Sequence, residues 1–443
     1  MRKLMLLFFL SPGVLSAQKN YPALMDKYMQ AQVKVNEFSG TVLVAQKGKI
    51  IYEKAFGLAD RELNVPNTIQ TKFQIGSITK QFTASCILQL ANEGKLSLDD
   101  KLSKYFPDFP KADSVTVHML LTHTSGIKSY TDLQEFWKLM TVAIEKDSMV
   151  AMIKRQPYNF SPGSKFSYNN SGYFLLGYII EKVTGKSYSD YVFNNVIQKA
   201  GLKNTSVNRW DTILPYRAKG YSKTPQGWRN AMYISMEGPY SAGAIISTVE
   251  DLYQWDNALF AGKIITPALF TKMTTPNLEH YGYGLGIDTF QHHLRIGHGG
   301  GIPGFVSYLA RFPSDDIVVA GLSNYSNNTD GVVNALAAIM FDIPVIAPYK
   351  HTEVAVDSKL LDRYAGAYRQ QEAPGADTLI IKEGKLYWHP WWHGEFQMKA
   401  ESNKKFFFEE LPDIQFEFEG GDDGKTIKAY ITDMGIKKEI KKL

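Results

Sequence analysis

Ser77 opens a stretch in which Ile78, Phe82, Ala84, Cys86, Ile87, Leu88, Leu90 and Ala91 fall on most faces of a helix. A helix that is apolar nearly all round has to be covered on every side. The chain must therefore build a substantial domain around this one, with Gly94 as its stop. The material is there: 443 residues, 44% hydrophobic and 21% charged. That composition excludes a fibrous or disordered chain, and the length allows about two domains. The single cysteine, Cys86, lies in the same apolar stretch. One cysteine excludes an internal disulfide framework and argues against a cysteine-rich metal site; packing is its expected role. Lys and Arg number 49 against 44 Asp and Glu, +5 overall, too mild a surplus to imply a nucleic-acid partner.

The surrounding pattern is mixed. Residues 20–38 have helical spacing, and 41–45 and 50–55 read as a hairpin turned at Lys47-Gly48. Residues 71–75 read as extended. Between 113 and 200 the chain reads as mainly helical, with helices at 132–154 and 171–183, the second stopped by Gly185. Strands are expected at 281–287, 294–296, 305–312 and 317–322, and a helix at 331–341. A sheet built from both ends of a domain, with a helical insert between, is an α+β arrangement: an antiparallel sheet flanked by helices, with a helical subdomain. Residues 344–358 read as a linker. The remainder, 359–443, holds short β-type runs at 378–382, 385–388, 395–398, 405–409, 414–418 and 428–431, as in a small antiparallel barrel or sandwich. Its Tyr387, Trp388, Trp391 and Trp392 are either barrel core or a sugar or peptide platform, core being the commoner use of such aromatics.

The first residues, Met1-Arg2-Lys3, a run of apolar residues to Leu10, and Leu15-Ser16-Ala17, have the pattern of a secretory signal peptide at 1–17. The run is too short for a spanning helix. An exported protein, periplasmic or secreted, with no transmembrane anchor is expected.

Three motifs carry chemistry. In Ser77-Ile78-Thr79-Lys80 a helix start puts serine and lysine on one face, where a lysine in an apolar wall can take the serine's proton. The helix N-terminus adds backbone N–H groups where an oxyanion could form. Ser-x-x-Lys occurs four times in the chain, at Ser16, Ser77, Ser125 and Ser402; only Ser77 follows an extended run and opens a buried helix. Tyr168-Asn169-Asn170 sits at a loop–helix junction. Its tyrosine is either a buried structural residue or a proton relay, the latter if a cation such as Lys80 lowers its pKa. Gly297-His298-Gly299-Gly300-Gly301 is either a glycine-rich turn or a strand that a second backbone approaches closely. There is no Gly-x-Ser-x-Gly elbow and no His-Glu-x-x-His, so neither an α/β-hydrolase nor a metal or other cofactor is expected.

The order Ser-x-x-Lys, Tyr-x-Asn, His-x-Gly resembles the penicillin-recognising serine hydrolases. The resemblance is to the branch of class C β-lactamases, D-alanyl-D-alanine carboxypeptidases, D-aminopeptidases and related esterases. Phe73 to Thr83, the loop Leu120-Leu121-Thr122-His123-Thr124-Ser125-Gly126-Ile127, and the block from Ser241-Ala242-Gly243 to Asp251-Leu252 are similar to that family's segments. The resemblance, which runs from about residue 20 to 341, implies a β-lactamase/transpeptidase-like fold over 18–343 and a small lipocalin-like barrel over 359–443. It implies Ser77 as the acylated nucleophile, Lys80 as its activator, Tyr168 in proton transfer and deacylation, and Asn170 on Lys80 or the substrate amide. It also implies an oxyanion hole from the N–H groups of Ser77 and Gly301, with His298 and Gly300 on the substrate. His123 is read as structural. The chain departs from typical β-lactamases by carrying His298 where they have lysine. A histidine is mostly neutral at pH 7, so attraction for a substrate carboxylate weakens. The expected activity is acyl-enzyme hydrolysis of a small amide or ester, a D-amino-acid peptide or cell-wall-derived compound. The alternatives are a class C-like β-lactamase and a non-hydrolytic binder of peptidoglycan fragments. Specificity is expected to lie in the insert at 128–158 and in the tail.

Overall fold

The structure, a computed structural model, describes residues 19–443 except 210, 326, 327, 371–374, 393 and 421–426. The signal peptide expected at 1–17 lies outside the described residues, as does His393.

Helix α1 (Tyr21–Asn36) leads into strands β1 (Gly40–Gln46) and β2 (Lys49–Phe56). Lys47 and Gly48 both take positive φ, the turn that matches hairpin twist. Helix α2 (Thr79–Asn92) follows a short 3-10 turn, Gly76–Ile78, and α3 (Asn170–Thr184) and α4 (Val249–Phe260) complete the helical layer beside it. Strands β3 (Gly286–Phe290), β4 (His293–Ile302), β5 (Phe305–Phe312) and β6 (Ile317–Ser323) precede helix α5 (Thr329–Met340). The sheet order is β3-β4-β5-β6-β1-β2, antiparallel throughout, and β1 joins the chain's beginning to β6 with Thr41 opposite Leu322.

Strand β1 is buried on both faces. Val42 and Val44 pack into a core with α1 and α5, while Leu43 and Ala45 pack into the larger core that holds α2, as period-two alternation requires. Twelve of the fourteen residues of α2 are buried, so the helix is enclosed as its composition demands. Phe82 stacks on Trp255 of α4 at 4.1 Å, and Cys86 is fully buried, which pushes its thiol pKa up.

Two expected elements differ. The helix read at 132–154 is two helices, Gln134–Leu139 and Lys146–Lys154. The carbonyl of Met140 leaves the helical ladder to accept from Ser235 N–H at 2.7 Å, and β-branched Thr141, Val142 and Ile144 follow. The strand read from 281 begins at Gly286, because Gly284 takes φ +71° and turns the chain.

The tail forms a closed antiparallel barrel of eight strands, β7 (Gly366–Gln370), β8 (Asp377–Lys382), β9 (Lys385–His389), β10 (Phe396–Ala400), β11 (Lys405–Phe407), β12 (Ile414–Gly420), β13 (Ile427–Asp433) and β14 (Ile436–Lys442). It is filled by aromatics, among them Trp388, Phe406, Phe416 and Phe418. Trp388 is core, whereas Trp391 and Trp392 are 45% and 44% exposed. The barrel touches the larger part through Asp413, whose carboxylate accepts from Asn36 at 2.8 Å and Asn328 at 3.2 Å.

Candidate active site

The segment Phe73–Gln74 pairs with Ile246 and Ser247, and the chain then turns through Gly76 at φ +49°. A side chain there would collide with the backbone N of Gly301 at 2.7 Å, so glycine is required for the approach. Ser77 follows in the first turn, where backbone N–H groups lack helical acceptors. One turn on, Lys80 is fully buried. Its Nζ lies 2.9 Å from Ser77 Oγ, 2.8 Å from Asn170 Oδ1 and 2.9 Å from the Ala242 carbonyl. Burial lowers the lysine's pKa well below its usual value. A neutral amine has two N–H donors and one lone pair. With the Asn170 and Ala242 oxygens taking those donors, a Lys80 in its neutral form would present its lone pair to the Ser77 O–H.

Asn170 opens α3, and its orientation is set twice. Its Nδ2 donates to Thr131 Oγ1 at 3.1 Å and its backbone N–H to Ser129 Oγ at 3.1 Å. The insert at 128–158 therefore reaches the site through Ser129 and Thr131. Asn169 caps α3 through its side chain. Tyr168 is 39% exposed at the site's mouth, with Lys80 Nζ 4.9 Å from its ring centre and Ser77 within hydrogen-bonding reach of its hydroxyl. Burial pushes its pKa up, and the Ser77 contact opposes that in part. The lowering expected from a lysine cation does not arise; desolvation of the phenol itself dominates. Tyr168 is a protonated phenol.

The glycine-rich run is a strand, not a turn. In β4 the pairing with β3 stops at Gly297 opposite Gly286, while pairing with β5 continues to Ile302. From His298 to Ile302 one edge of β4 thus has no strand beside it, and the nucleophile segment packs against this stretch of β4 and the adjoining β5. A Cβ on Gly300 would lie 2.0 Å from the Ile75 carbonyl, whereas one on Gly301 would meet nothing within 4 Å. Ser307 Oγ ties the two together by donating to the Ile75 carbonyl at 2.8 Å. The half-buried His298 is locked on both nitrogens. Nδ1–H donates to the Gly299 carbonyl at 2.5 Å, and Nε2 accepts from the Tyr281 hydroxyl at 2.9 Å. Burial, with Lys80 nearby, lowers its pKa to about 4, so the ring is neutral. With both nitrogens engaged it offers a substrate no cation.

A model of the Beta-lactamase family matches residues 25–340. The chain belongs to the β-lactamase family. It is 30% identical over 426 residues to penicillin-binding protein 4* of Bacillus subtilis (strain 168), covering 89% of this chain and 93% of that one. It is 29% identical over 309 residues to the teichoic acid D-alanine hydrolase of Staphylococcus aureus (strain MRSA252), covering 69% and 74%. Among solved structures, the octameric penicillin-binding protein homologue from Pyrococcus abyssi superposes with a TM-score of 0.68 over 95% of this chain and 99% of that one, at 24% identity. That likeness is one of fold, and it extends through the barrel. The protein is thus a serine hydrolase of the β-lactamase family.

The fold brings Ser77, Lys80, Tyr168, Asn170, His298, Gly300 and Gly301 into one site. Sequence reasoning passed over Tyr281 and the carbonyl of Ala242. Tyr281 lies in His280-Tyr281-Gly282-Tyr283-Gly284, where alternating glycine and aromatics was the available signal. Ala242 acts through its backbone and leaves no side-chain mark. Among the described residues no group of three or more His, Cys, Asp or Glu could hold a metal ion, and no helix is long and apolar enough to cross a membrane.

Proposed function

We propose that this β-lactamase-family protein hydrolyses a small amide or ester through an acyl-enzyme on Ser77, with a D-aminoacyl, cell-wall-derived compound as substrate. The observation that carries this reading is the fully buried Lys80, its Nζ 2.9 Å from Ser77 Oγ and its pKa lowered by burial. Lys80 takes the Ser77 proton as Oγ attacks the substrate carbonyl. The N–H groups of Ser77 and Gly301 receive the oxyanion. Lys80 and Tyr168 return the proton to the leaving amine or alkoxide, and the carbon–nitrogen or carbon–oxygen bond breaks. In deacylation Lys80 takes a proton from water through the Tyr168 hydroxyl, and the water attacks the ester and restores Ser77. Asn170 holds Lys80 and the substrate amide. The D-aminoacyl class is supported by the relative that is a teichoic acid D-alanine hydrolase. An exported, cell-envelope location accords with that relative and with the N-terminal sequence.

The β-lactamase reading is disfavoured by His298, which is neutral and bonded on both nitrogens and so gives a penicillin carboxylate no partner. The non-hydrolytic reading is disfavoured by the intact Ser77–Lys80–Asn170 geometry. Intact-protein mass spectrometry after incubation with penicillins, D-amino-acid amides and short-chain esters tests the proposal. An acyl mass on the wild type that is absent from Ser77→Ala is expected. No adduct and no turnover with any member of the panel would sink it.

A further inference from the structure

His123 combines two unfavourable features. Its backbone is left-handed, φ +58°, a conformation that strains a residue with a Cβ. Its side chain is buried, 1% exposed, and its Nε2 has no hydrogen-bond partner among the described residues. Strain and an unmet polar atom persist where the surroundings over-determine them. Four aromatic rings surround this residue, those of Phe166, Tyr168, Tyr173 and Tyr281, with Tyr168 nearest. The N–H of Ser167 donates to the His123 carbonyl at 3.0 Å, and the N–H of Asn169 donates to its Nδ1 at 3.0 Å. The residues on both sides of Tyr168 therefore hang on one histidine. Its ring packs 4.4 Å from the Tyr168 ring and 4.6 Å from the Tyr281 ring, centre to centre. Nδ1 must be unprotonated to accept from Asn169, and burial lowers the imidazole's pKa well below its usual value.

We propose that His123 is a positioning residue for Tyr168. It fixes the backbone on either side of the phenol and backs its ring, so that the hydroxyl stays on Ser77. This rests on the proposed role of Tyr168 in proton transfer. Histidine serves here because one side chain supplies both the acceptor and the flat surface.

The test is steady-state hydrolysis of p-nitrophenyl acetate by the full chain, with unfolding followed for each variant. His123→Leu removes the acceptor. His123→Asn keeps an acceptor near the Nδ1 position and tolerates the left-handed backbone. The expected result for His123→Leu is a fall in kcat on the order of 10²-fold, with KM within about twofold, towards the level of Tyr168→Phe. His123→Asn recovers about tenfold of that loss. The double variant His123→Leu/Tyr168→Phe is no slower than Tyr168→Phe alone, since both act through one group. Losses that multiply in the double variant overturn the proposal. So does His123→Asn as slow as His123→Leu while its unfolding matches wild type. If His123→Leu does not fold, His123→Gln, whose amide reaches past the Asn169 N–H, replaces it under the same criteria. Full activity in Tyr168→Phe overturns the role of Tyr168 itself. A slow Tyr168→Phe beside a His123→Leu at wild-type rate overturns only the role of His123.

Discussion

His298, bonded on both nitrogens, presents no cation at the end of β4. Replacing it by lysine puts a cation at the end of β4, and His298→Lys is expected to raise the rate of acylation by benzylpenicillin by about tenfold, roughly 1.4 kcal/mol of added attraction. Stopped-flow acylation measures this; an unchanged rate would show that the carboxylate is not bound near residue 298. The same histidine ties stability to pH. Its folded pKa is depressed from 6.5 to about 4. Between those values the unfolded chain holds a proton that the folded chain refuses. Stability is therefore complete above about 6.5 and is lost as pH falls towards 4. His123 shifts in the same direction. Urea unfolding from pH 7 to 4.5 is expected to show the decline, and His298→Gln, which does not titrate, should flatten part of it. The side chains with the strongest chemistry were legible from motif and context. The protonation of Tyr168 was not, because it depends on how far the folded site strips water from the phenol, and no spacing encodes that.

Strand β4 and the 3-10 turn before α2 meet backbone to backbone, and two neighbouring glycines make unequal contributions to that contact. Gly300→Ala would drive a Cβ into the Ile75 carbonyl and Ser307 Oγ. We expect a loss of about 1–3 kcal/mol and of most activity as the strand is pushed off the nucleophile. Gly301→Ala meets open space and is expected to change stability by no more than about 0.5 kcal/mol. Thermal unfolding of the two variants compares them directly, and equal losses would mean that the close approach is not at Gly300. The glycine run advertised a close approach but not its partner, since the partner backbone lies more than 200 residues earlier. The barrel shows a similar limit. Six of its strands were readable from short apolar alternation. Strand β14, Ile-Lys-Lys-Glu-Ile-Lys-Lys, buries only Ile436 and Ile440, so its inward face lacks the period of two that marks a strand. Strand β7 and β14 close the barrel through Tyr368 opposite Lys442, a pairing that local sequence does not carry.

The chemistry is gathered between residues 76 and 302, and the residues that touch the Ser77–Lys80 pair all come from the larger part. The barrel meets that part through polar contacts at Asp413 and through Met434, which lies against Asn328 and Gly331. A chain ending at residue 343 is accordingly expected to fold and to keep p-nitrophenyl acetate hydrolysis within about threefold, while losing whatever the barrel adds to the recognition of larger substrates. Inactivity of a folded, truncated chain would mean that the barrel shapes the site. The order of the strands has a separate outcome for biosynthesis. Strand β1 leaves the ribosome early, yet its partner β6 is completed only at Ser323, some 280 residues later. The strand that faces the nucleophile, β4, is held in register by β5 and hence by β6. Nascent chains released short of Ser323 would thus carry Ser77 and Lys80 without β4 held against the nucleophile segment, and pairing over so long a loop is slow. Catalytic competence then arrives late and all at once during synthesis, so a partly made chain carries no hydrolytic activity.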